Sequence, residues 1–357
     1  MRAVVLAANE RLEVKEVPDA GLELDECRIR IRAAGVCSSD VPRAFDGGAY
    51  HYPVIIGHEM AGEIAEVGPA VGEDFEVGNR VAIFPLLPCR VCEACARKAF
   101  SVCANYSYYG SRRDGGFAER LNVKAWNLLP VPDHVSLDDA ALLEPTSVVI
   151  HALTRAGLLE QNRGGGEVAI IGAGFLGLIA VHVLAMRRPG VAVTLVDRNQ
   201  YKLDMAASLG VACHRLDSAE EWAEFLTDNG TRFPIVIEAC GAPETYSNSI
   251  ELAAPNGTVV WMGNISGDLT LGQALVSSIL RKELHVKGTW NSGYDGREAS
   301  DWTVALGLMA EGLAPSSFVS LHVDLDGLPE ALRRLNEHRK RVRRHEIIKV
   351  MLKVYAD

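Results

Sequence analysis

A chain of 357 residues is too long for one ordinary hydrophobic core, so we expect two domains. Its 48% hydrophobic and 23% charged residues are typical of a soluble globular protein and exclude a mainly disordered one. The formal net charge of -10 argues against nucleic acid as a partner, because phosphate binding needs a positive face. The opening MRAVVLAA reads as a strand without a targeting pattern, which predicts a cytoplasmic protein with no membrane partner.

The predicted elements divide the chain into two parts. The first part, about 145 residues, is rich in Val, Ile and Gly, and its short runs CRIRIRAAGV, GEIAEVG and NRVAIFP predict a β-rich domain. Strands and helices then alternate, with strands at VAIIGA (168–173), VTLVD (193–197), PIVIEAC (234–240) and GTVVWMG (257–263). Such alternation predicts a parallel sheet covered on both faces, an α/β domain. After HVKGTW (285–290) mixed elements return, up to a terminal strand EIIKVMLKV.

The helices and the domain limits follow from the same pattern. A helix is predicted to follow the strand VAIIGA and to extend to Arg187. The segment QYKLDMAASLG predicts an amphipathic helix closed by Gly210. The basic run Arg333–Arg344 is interpreted as a solvated helix end and loop. We therefore expect one domain from residues 1–150 and 288–357, with a cysteine-rich lobe at about 86–106, and a nucleotide domain at 151–287.

Four cysteines lie within fifteen residues, in PCRVCEACARKAFSVC, and they are Cys89, Cys92, Cys95 and Cys103. Two CxxC steps and one longer step can bring four thiolates around one ion, and all-thiolate tetrahedral sites are closed, structural zinc sites. The alternatives are four unrelated thiols or disulfides, but unrelated thiols rarely cluster at these spacings, and a chain that looks intracellular would not normally hold disulfides. The segment therefore predicts a structural zinc ion.

A glycine-rich turn predicts the nucleotide site. Gly172, Gly174 and Gly177 form GxGxxG directly after an apolar strand, and Asp197 ends the next strand twenty residues beyond Gly177. The glycines allow a tight turn, close approach of a pyrophosphate and close helix–strand packing, while the helix N-terminus attracts the phosphates. An acidic residue at the second strand end bonds the ribose hydroxyls and repels a 2′-phosphate, so Asp197 favours NAD over NADP. Arg198 beside it is able to stack on adenine or to accept that phosphate.

A second set of metal-ligand residues is scattered along the chain. Cys37 stands in AGVCSSD, His58 and Glu59 in IIGHEMAGEI, and Glu144 in LLEPTSVVIH, and their spacing alone would not group them. The order GVCSSD, GHE, cysteine-rich lobe, EP and GxGxxG nevertheless resembles that of the zinc-dependent medium-chain alcohol dehydrogenases, over essentially the whole chain. The resemblance implies a GroES-like β-rich catalytic domain and a Rossmann doubly wound coenzyme domain.

The resemblance also implies roles for individual residues. Cys37, His58 and Glu59 would ligate a catalytic zinc with one position open, and Glu144 would lie near the metal and approach it when the coordination changes. Asp40 would orient the ligand histidine. Ser39 and Pro42 define the proton path: Ser39 stands where the family has the residue that takes the alcohol proton, and Pro42 stands where ethanol-type members have a relay histidine. The proton would then leave through Ser39 to the cofactor ribose or to water.

The family further implies NAD and two zinc ions per chain, and a homodimer or homotetramer. Cofactor contacts are expected at Gly172, Gly174, Phe175, Leu176, Gly177, Asp197, Arg198, Lys202, Cys240, Gly263 and Thr289.

Several stretches look closest to the polyol branch of the family, the galactitol-1-phosphate and sorbitol type; among them are GAYHYPVIIGHE, PLLPC, GSRRDGGFAE and ILRKEL. Arg112 and Arg113 suit a phosphate or several hydroxyls, with an ordinary surface arginine pair as the alternative, and Trp290 and Asn291 are expected near the substrate. We expect oxidation of a secondary alcohol of a polyol or sugar alcohol, phosphorylated or not, to a ketone. Two alternatives stay open: a cyclitol or aminosugar dehydrogenase, and a nucleotide-binding protein whose zinc lobe serves an interaction.

Overall fold

The structure, a computed structural model, describes residues 1–160, 166–296, 300–340 and 346–354. The chain divides into two compact units, Met1–Ser147 with Ser292–Asp357 and, between them in sequence, Val148–Asn291. The roles given to the two predicted domains stay predictions. Of the basic run 333–344, residues 341–344 lie outside the described residues, and a helix extends to Arg339. None of the described helices combines the length and the apolar character that crossing a membrane requires.

The secondary structure is given in chain order. The strands are β1 Arg2–Ala8, β2 Arg11–Glu16, β3 Glu26–Gly35, β4 Val54–Ile55, β5 Glu59–Val67, β6 Arg80–Ile83, β7 Leu86–Leu87, β8 Ser107–Tyr108, β9 Arg120–Lys124, β10 Leu128–Pro130, β11 Gly166–Ile171, β12 Val191–Asp197, β13 Ala212–Arg215, β14 Phe233–Glu238, β15 Ala253–Trp261, β16 His285–Gly288, β17 Val319–Val323 and β18 Lys349–Lys353. The α-helices are α1 Asp40–Phe45, α2 Glu93–Ala96, α3 Leu137–Ala141, α4 Leu143–Arg155, α5 Phe175–Arg187, α6 Gln200–Ala207, α7 Ala219–Asn229, α8 Pro243–Leu252, α9 Gln273–Lys282, α10 Asp301–Ala310 and α11 Leu328–Arg339.

The first unit is built around a seven-stranded sheet of order β10-β6-β5-β3-β18-β17, with β9 also paired to β3. A three-stranded sheet β2-β1-β4 and a two-stranded ribbon β7-β8 complete its strands. Strand β3 shows why the sequence folds this way: in CRIRIR the isoleucines are buried, whereas the arginines are partly exposed. Alternation with a period of two places one face of the strand in the core. Burying each such isoleucine contributes about 1.5–3 kcal/mol.

The second unit is a six-stranded parallel sheet of order β13-β12-β11-β14-β15-β16. Numbered within the sheet, this is the order 3-2-1-4-5-6 of a Rossmann fold, so the predicted alternation of strands and helices is confirmed. The strand order reverses between β11 and β14, and ligands of such sheets bind at the carboxyl ends of the strands there. One predicted boundary is wrong: α6 ends at Ala207, and Gly210, with φ +73°, lies three residues beyond it.

Candidate metal centre and nucleotide-binding loop

Three of the predicted metal ligands lie together in the first unit. The ligand atoms of Cys37, His58 and Glu59 all lie within 4.8 Å of one another. Strand pairing causes this, because the register of β3 and β5 puts Gly35 opposite Glu59, and Cys37 follows two residues later. A methyl group at position 35 would lie 2.0 Å from Glu59 Oε2, so only glycine leaves room for that carboxylate. A thiolate, an imidazole and a carboxylate suit a zinc ion with an open position.

Asp40 contacts two of the three candidate ligands. Its fully buried carboxylate accepts hydrogen bonds from the backbone amide of Cys37 (3.0 Å) and from Arg43 Nη1 (2.8 Å), and it lies 3.5 Å from His58 Nδ1. With Nδ1 directed at Asp40, Nε2 is the nitrogen left to ligate a metal. Burial opposes protonation of His58, but the negative charges of Asp40 and Cys37 raise its pKa well above the ordinary value. The thiol of Cys37 and the carboxylates of Asp40 and Glu59 thus surround His58 with groups that favour a cation.

Lys349, which the sequence analysis missed, forms an ion pair with Glu59. Its Nζ, on strand β18, lies 2.6 Å from Oε1 and 2.5 Å from Oε2 of Glu59, and both side chains are buried. A buried charge needs such a partner, because the cost of desolvation is several kcal/mol per ion. The available signal was a lysine between the apolar runs Ile347–Ile348 and Val350–Leu352 of the terminal EIIKVMLKV. Lys349 fixes the orientation of the carboxylate within the cluster.

Glu144 lies beside the cluster but outside the group of three. It stands in the first turn of α4, where it is buried, and its Oε1 accepts a hydrogen bond from the Tyr108 hydroxyl at 3.1 Å. Burial, assisted by the negative charge of Glu59, raises the pKa of Glu144 to about 7. Tyr108, also missed from sequence, packs its ring edge-on against His58 with the ring centres 5.7 Å apart.

Ser39 lies next to the candidate ligand Cys37. Its hydroxyl donates a hydrogen bond to Cys37 Sγ at 3.3 Å, and its side chain is half-buried. Pro42 lies three residues further on, within α1, and cannot take or give a proton. Among the residues that follow Cys37 to the end of α1, Ser39 thus supplies a hydroxyl directly at the cluster, whereas the fully buried Asp40 is already occupied by Arg43.

The four cysteines of the lobe also lie together, with all their sulfurs within 4.8 Å of one another. The sulfur–sulfur distances are 3.5 Å for Cys92 to Cys95, 3.8 Å for Cys92 to Cys103 and 3.9 Å for Cys89 to Cys95. A tetrahedron with Zn–S bonds of about 2.3 Å has edges of about 3.8 Å, so the cage fits zinc. Disulfides are absent from this described segment, since bonded sulfurs lie about 2 Å apart. Backbone hydrogen bonds from Ala104 and Cys95 lower the pKa of Cys92 to about 6, which favours the thiolate.

The glycine turn of the second unit follows β11 directly. Gly172 has φ +111°, and a methyl group there would lie 3.0 Å from the backbone carbon of Ala239. At Gly177 a methyl group would lie 1.9 Å from the Gly172 oxygen, so helix and turn are in direct contact. A methyl group at Gly174, the residue before α5, would have no atom within 4 Å, so the backbone there faces open space. The turn thus leaves a free approach to the N-terminus of α5, where anions bind.

Asp197 supports this turn as well as ending β12. Its Oδ2 accepts a hydrogen bond from the Ala173 amide at 2.7 Å, and its Oδ1 accepts one from the Asn199 amide at 2.8 Å. The carboxylate therefore joins the glycine turn to the start of α6. Each carboxylate oxygen has two acceptor positions, so Asp197 retains capacity for ribose hydroxyls. Sequence reasoning gave Asp197 a ligand role and missed this supporting one.

Glu238, at the end of β14, organises the adjoining loop and was also missed. Its buried Oε1 accepts hydrogen bonds from the amides of Cys240 (2.8 Å) and Gly241 (2.7 Å) and from the Thr245 hydroxyl (2.8 Å). A methyl group at Gly263 would lie 2.7 Å from Glu238 Oε2. The other expected cofactor residues stand at or near the same ends of the strands; they are Phe175 and Leu176 in α5, Arg198 after β12, Lys202 in α6 and Thr289 after β16.

The two candidate substrate arginines have different environments. The Arg112 guanidinium lies 4.2 Å from the ring centre of Tyr50 and 4.1 Å from that of Tyr106, and it donates a hydrogen bond to the Tyr50 hydroxyl at 3.0 Å. Arg113 is exposed. Trp290 is 52% exposed and Asn291 has φ +51°; both lie in the second unit, so a role at the metal centre stays a prediction.

Two family models match the chain. The alcohol dehydrogenase GroES-like domain matches residues 23–133, and the zinc-binding dehydrogenase domain matches residues 176–311. Galactitol 1-phosphate 5-dehydrogenase of Escherichia coli K12 is 38% identical over 290 residues, which is 80% of this chain and 82% of that protein. D-altritol 5-dehydrogenase of Agrobacterium fabrum is 32% identical over 297 residues, 81% of this chain and 84% of that protein.

Solved structures agree with these matches. Galactitol-1-phosphate dehydrogenase from Escherichia coli superimposes with a TM-score of 0.86 at 33% identity, over 99% of this chain and 100% of that one. A zinc-binding dehydrogenase from Sinorhizobium meliloti bound to NADP gives 0.87 at 25% identity, over 99% of both chains. An alcohol dehydrogenase from Escherichia coli CFT073 complexed with NADH gives 0.85 at 25% identity, again over 99% of both. As its motifs predicted, the chain belongs to the zinc-dependent medium-chain alcohol dehydrogenase family.

Proposed function

We propose that this dehydrogenase oxidises a secondary hydroxyl of a polyol or sugar alcohol, phosphorylated or not, to a ketone, with NAD as the hydride acceptor. The observation that carries the proposal is the cluster of the partly buried Cys37 with the buried His58 and Glu59, with the Ser39 hydroxyl 3.3 Å from the Cys37 sulfur. The relatives named for galactitol 1-phosphate and D-altritol support the substrate class.

The residues of the cluster and their neighbours have separate roles, which are metal binding and orientation of the ligands. A zinc ion held by Cys37, His58 and Glu59 would supply the acidification of an alcohol hydroxyl. Asp40 fixes the orientation of His58, and Lys349 fixes that of Glu59, so neither ligand has to reorganise during turnover.

Ser39 is the residue we assign to proton removal. Its hydroxyl donates to Cys37 Sγ at 3.3 Å, so its oxygen keeps the lone pairs that accept a proton. Ser39 accepts the alcohol proton and passes its own to water, since Pro42 offers no imidazole for a relay. The loss of the relay histidine is a feature of polyol-type members, which supports the substrate class again.

The glycine turn and Asp197 are assigned to the cofactor. Gly174 and the N-terminus of α5 would receive the pyrophosphate, and Asp197 would bond the adenosine ribose and repel a 2′-phosphate. We propose NAD rather than NADP for that reason, although Arg198 stands next to Asp197. Phe175, Leu176, Lys202, Cys240, Gly263 and Thr289 complete the proposed contacts.

Two further features belong to the same proposal. The thiolates of the lobe and of Cys37 must stay reduced to hold zinc, which favours the cytoplasm. A homodimer or homotetramer is the assembly that we expect of the family. A cyclitol or an aminosugar is the alternative substrate, because those compounds also present secondary hydroxyls among several polar groups.

A screen of NAD reduction tests the function. Purified protein is offered free polyols, sugar-alcohol phosphates, cyclitols, simple secondary alcohols and ethanol, each with NAD and with NADP. We expect a polyol or its phosphate to give the highest kcat/KM and ethanol to be poor. Robust activity with ethanol and none with any polyol would contradict the proposed substrate class.

A further inference from the structure

The four-cysteine lobe is the loop of a short hairpin whose last residue reaches the candidate metal centre. Strand β7 pairs with β8 through Leu86 opposite Tyr108 and Leu87 opposite Ser107, and Cys89 to Cys103 lie between the two strands. An ion bound by the four cysteines would close this loop covalently at four points. The lobe therefore fixes the backbone of β8, and with it the position of Tyr108.

A second set of contacts holds the base of the same hairpin. The buried Asn127 side chain donates hydrogen bonds to the carbonyl oxygens of Phe84 (2.7 Å) and Leu86 (2.8 Å). The amide of Tyr109 donates to the Pro85 oxygen at 2.9 Å. The Asn127 bonds thus tie β7 to the body of the first unit, and the Tyr109 bond extends the pairing of the two arms. Because its backbone is held and its ring packs against His58, the Tyr108 side chain has few alternative rotamers.

Tyr108 makes two contacts with the metal centre, and only one of them needs its hydroxyl. The ring meets the His58 ring edge-on, at 5.7 Å and an interplanar angle of 68°, a packing that phenylalanine would preserve. The hydroxyl donates to Glu144 Oε1 at 3.1 Å. A buried carboxylate oxygen that lost this donor would need another partner, because an unsatisfied buried acceptor costs about 1–3 kcal/mol or more when charged.

A cation at the cluster of three would be an alternative partner for Glu144. Glu144 is buried next to His58, Glu59 and Lys349, whose charges act on its carboxylate. Lys349 already contacts both oxygens of Glu59. A cation at the cluster of three would therefore be the strongest attraction for a released Glu144, and it would occupy the position that a substrate hydroxyl needs.

We propose that Tyr108 is a positioning residue that holds the Glu144 carboxylate out of the coordination shell of the ion at Cys37, His58 and Glu59, and so keeps the substrate position open. The inference rests on the proposed function, since it requires a metal at that cluster. It assigns to the β7–β8 hairpin a role at the reactive centre in addition to closing the lobe.

Cobalt substitution of the holoenzyme tests the inference without turnover. Cobalt(II) in four-coordinate tetrahedral sites absorbs visible light strongly, and an additional ligand weakens and shifts the bands. The difference spectrum between each protein and Cys37→Ala isolates the cluster of three from the lobe. We expect Tyr108→Phe to reduce this difference absorption by about half or more, and the double variant Tyr108→Phe/Glu144→Gln to restore it. Release of cobalt to a chelator should be roughly tenfold slower in Tyr108→Phe, since a further ligand adds about 1.4 kcal/mol at that ratio.

Tyr109→Phe is the matched control. It removes a buried phenol hydroxyl one residue along, but that hydroxyl accepts from the Lys124 amide at 3.1 Å and makes no bond to Glu144. Its difference spectrum should equal that of the wild type. A wild-type spectrum in Tyr108→Phe overturns the restraint and leaves the metal centre standing. No cobalt difference between wild type and Cys37→Ala overturns the metal centre, and the restraint with it.

Discussion

Gly35 and Glu59 face each other across strands β3 and β5, and a methyl group at residue 35 would lie 2.0 Å from the Glu59 Oε2 atom. The same methyl group would lie 2.9 Å from a side-chain carbon of Leu142, so a second side chain also blocks this space. The absence of a side chain at position 35 is therefore a condition for the metal cluster, imposed by sheet register rather than by any ligand.

Gly35→Ala should remove one of two zinc ions while leaving the lobe loaded. Metal analysis of the purified wild type should give about two equivalents per chain, one for each ligand set. The alanine methyl displaces the Glu59 carboxylate, so the variant should retain about one equivalent and lose about 1–3 kcal/mol of unfolding free energy from overpacking.

Two further variants make this measurement decisive. The zinc content of Cys37→Ala should also fall to about one equivalent. Its circular dichroism spectrum and its melting curve should stay close to those of the wild type. Gly307→Ala places a methyl group in helix α10 with no atom within 4 Å, and it should keep both ions. A single ion in the fresh wild type, unchanged by Cys37→Ala, would show that the cluster of three binds no zinc.

Ser39→Ala should lower kcat by roughly a hundredfold or more, the usual scale for losing a positioned proton-transfer group. The affinity for NADH, measured by fluorescence titration, should stay unchanged, because the hydroxyl contacts Cys37 in the first unit. Ser38→Ala is the matched control, since Ser38 is exposed one residue earlier. Near-normal turnover of Ser39→Ala would mean that water takes the alcohol proton directly.

Asp197→Ser should relax the preference for NAD and also weaken NADH binding. The first effect follows from removing a negative charge near a 2′-phosphate, and the second from removing the acceptor of the Ala173 amide. We expect the ratio of kcat/KM for NAD over NADP to fall at least roughly tenfold, with a few-fold weaker NADH. If the wild type already uses NADP equally well, Arg198 accepts the phosphate and the role given to Asp197 is wrong.

The stability of the second unit should depend on the protonation of Glu238. Burial raises the pKa of its carboxyl above 4.5, and the hydrogen bonds from Gly241 and Thr245 offset this only in part. The folded chain then binds this proton more tightly than the unfolded chain does. The stabilisation is fully present below about pH 4.5 and is lost as the pH rises through the folded pKa.

Glu238→Gln carries a neutral group at every pH and removes this dependence. In urea unfolding between about pH 5 and 8, the free energy of the variant relative to the wild type should increase with pH. Glu244→Gln, at the start of α8, replaces an exposed acidic residue in the same unit and serves as the reference, because an exposed carboxyl loses little hydration on folding. A constant difference between Glu238→Gln and the wild type across that range would contradict the prediction.

The sequence predicted the second unit well because its folding signals are local. Continuous apolar runs such as VAII and TLV form buried parallel strands, and GxGxxG fixes the turn after the first of them. Helix ends were less predictable: Gly210 was expected to close α6, whereas the helix stops at Ala207. A glycine near a helix end does not decide by itself which residue is the last.

The metal centre was predictable only in part. Cys37, His58 and Glu59 are brought together by the register of β3 and β5, which spacing along the chain does not reveal, so their grouping depended on the motif resemblance. Lys349 and Tyr108 had no such motif. Tyr108 lies on a strand of two residues whose partner precedes the whole lobe, and no periodicity exists over so short an element.

The structure distinguishes Arg112 from Arg113 as the candidate for binding an anionic substrate group, which the sequence did not. Its guanidinium is stacked between Tyr50 and Tyr106, and among the described residues no carboxylate lies within ion-pair distance of it. The ring of Tyr106 lies 6.1 Å from that of Tyr108, which in turn packs against His58. A stacked guanidinium with no carboxylate partner, linked to His58 through the rings of Tyr106 and Tyr108, suits an anionic group of a substrate.

Arg112→Gln should therefore raise KM for a sugar-alcohol phosphate about 10- to 100-fold, the scale of one lost charge-assisted contact, with a much smaller effect on the free polyol. Arg113→Gln is the matched control, because its exposed side chain lacks the tyrosine stack. Initial rates with both substrates at saturating NAD give the comparison. An equal, small effect of Arg112→Gln on both substrates would point to an unphosphorylated polyol or a cyclitol, and a larger effect of Arg113→Gln would move the anion site to the neighbouring arginine.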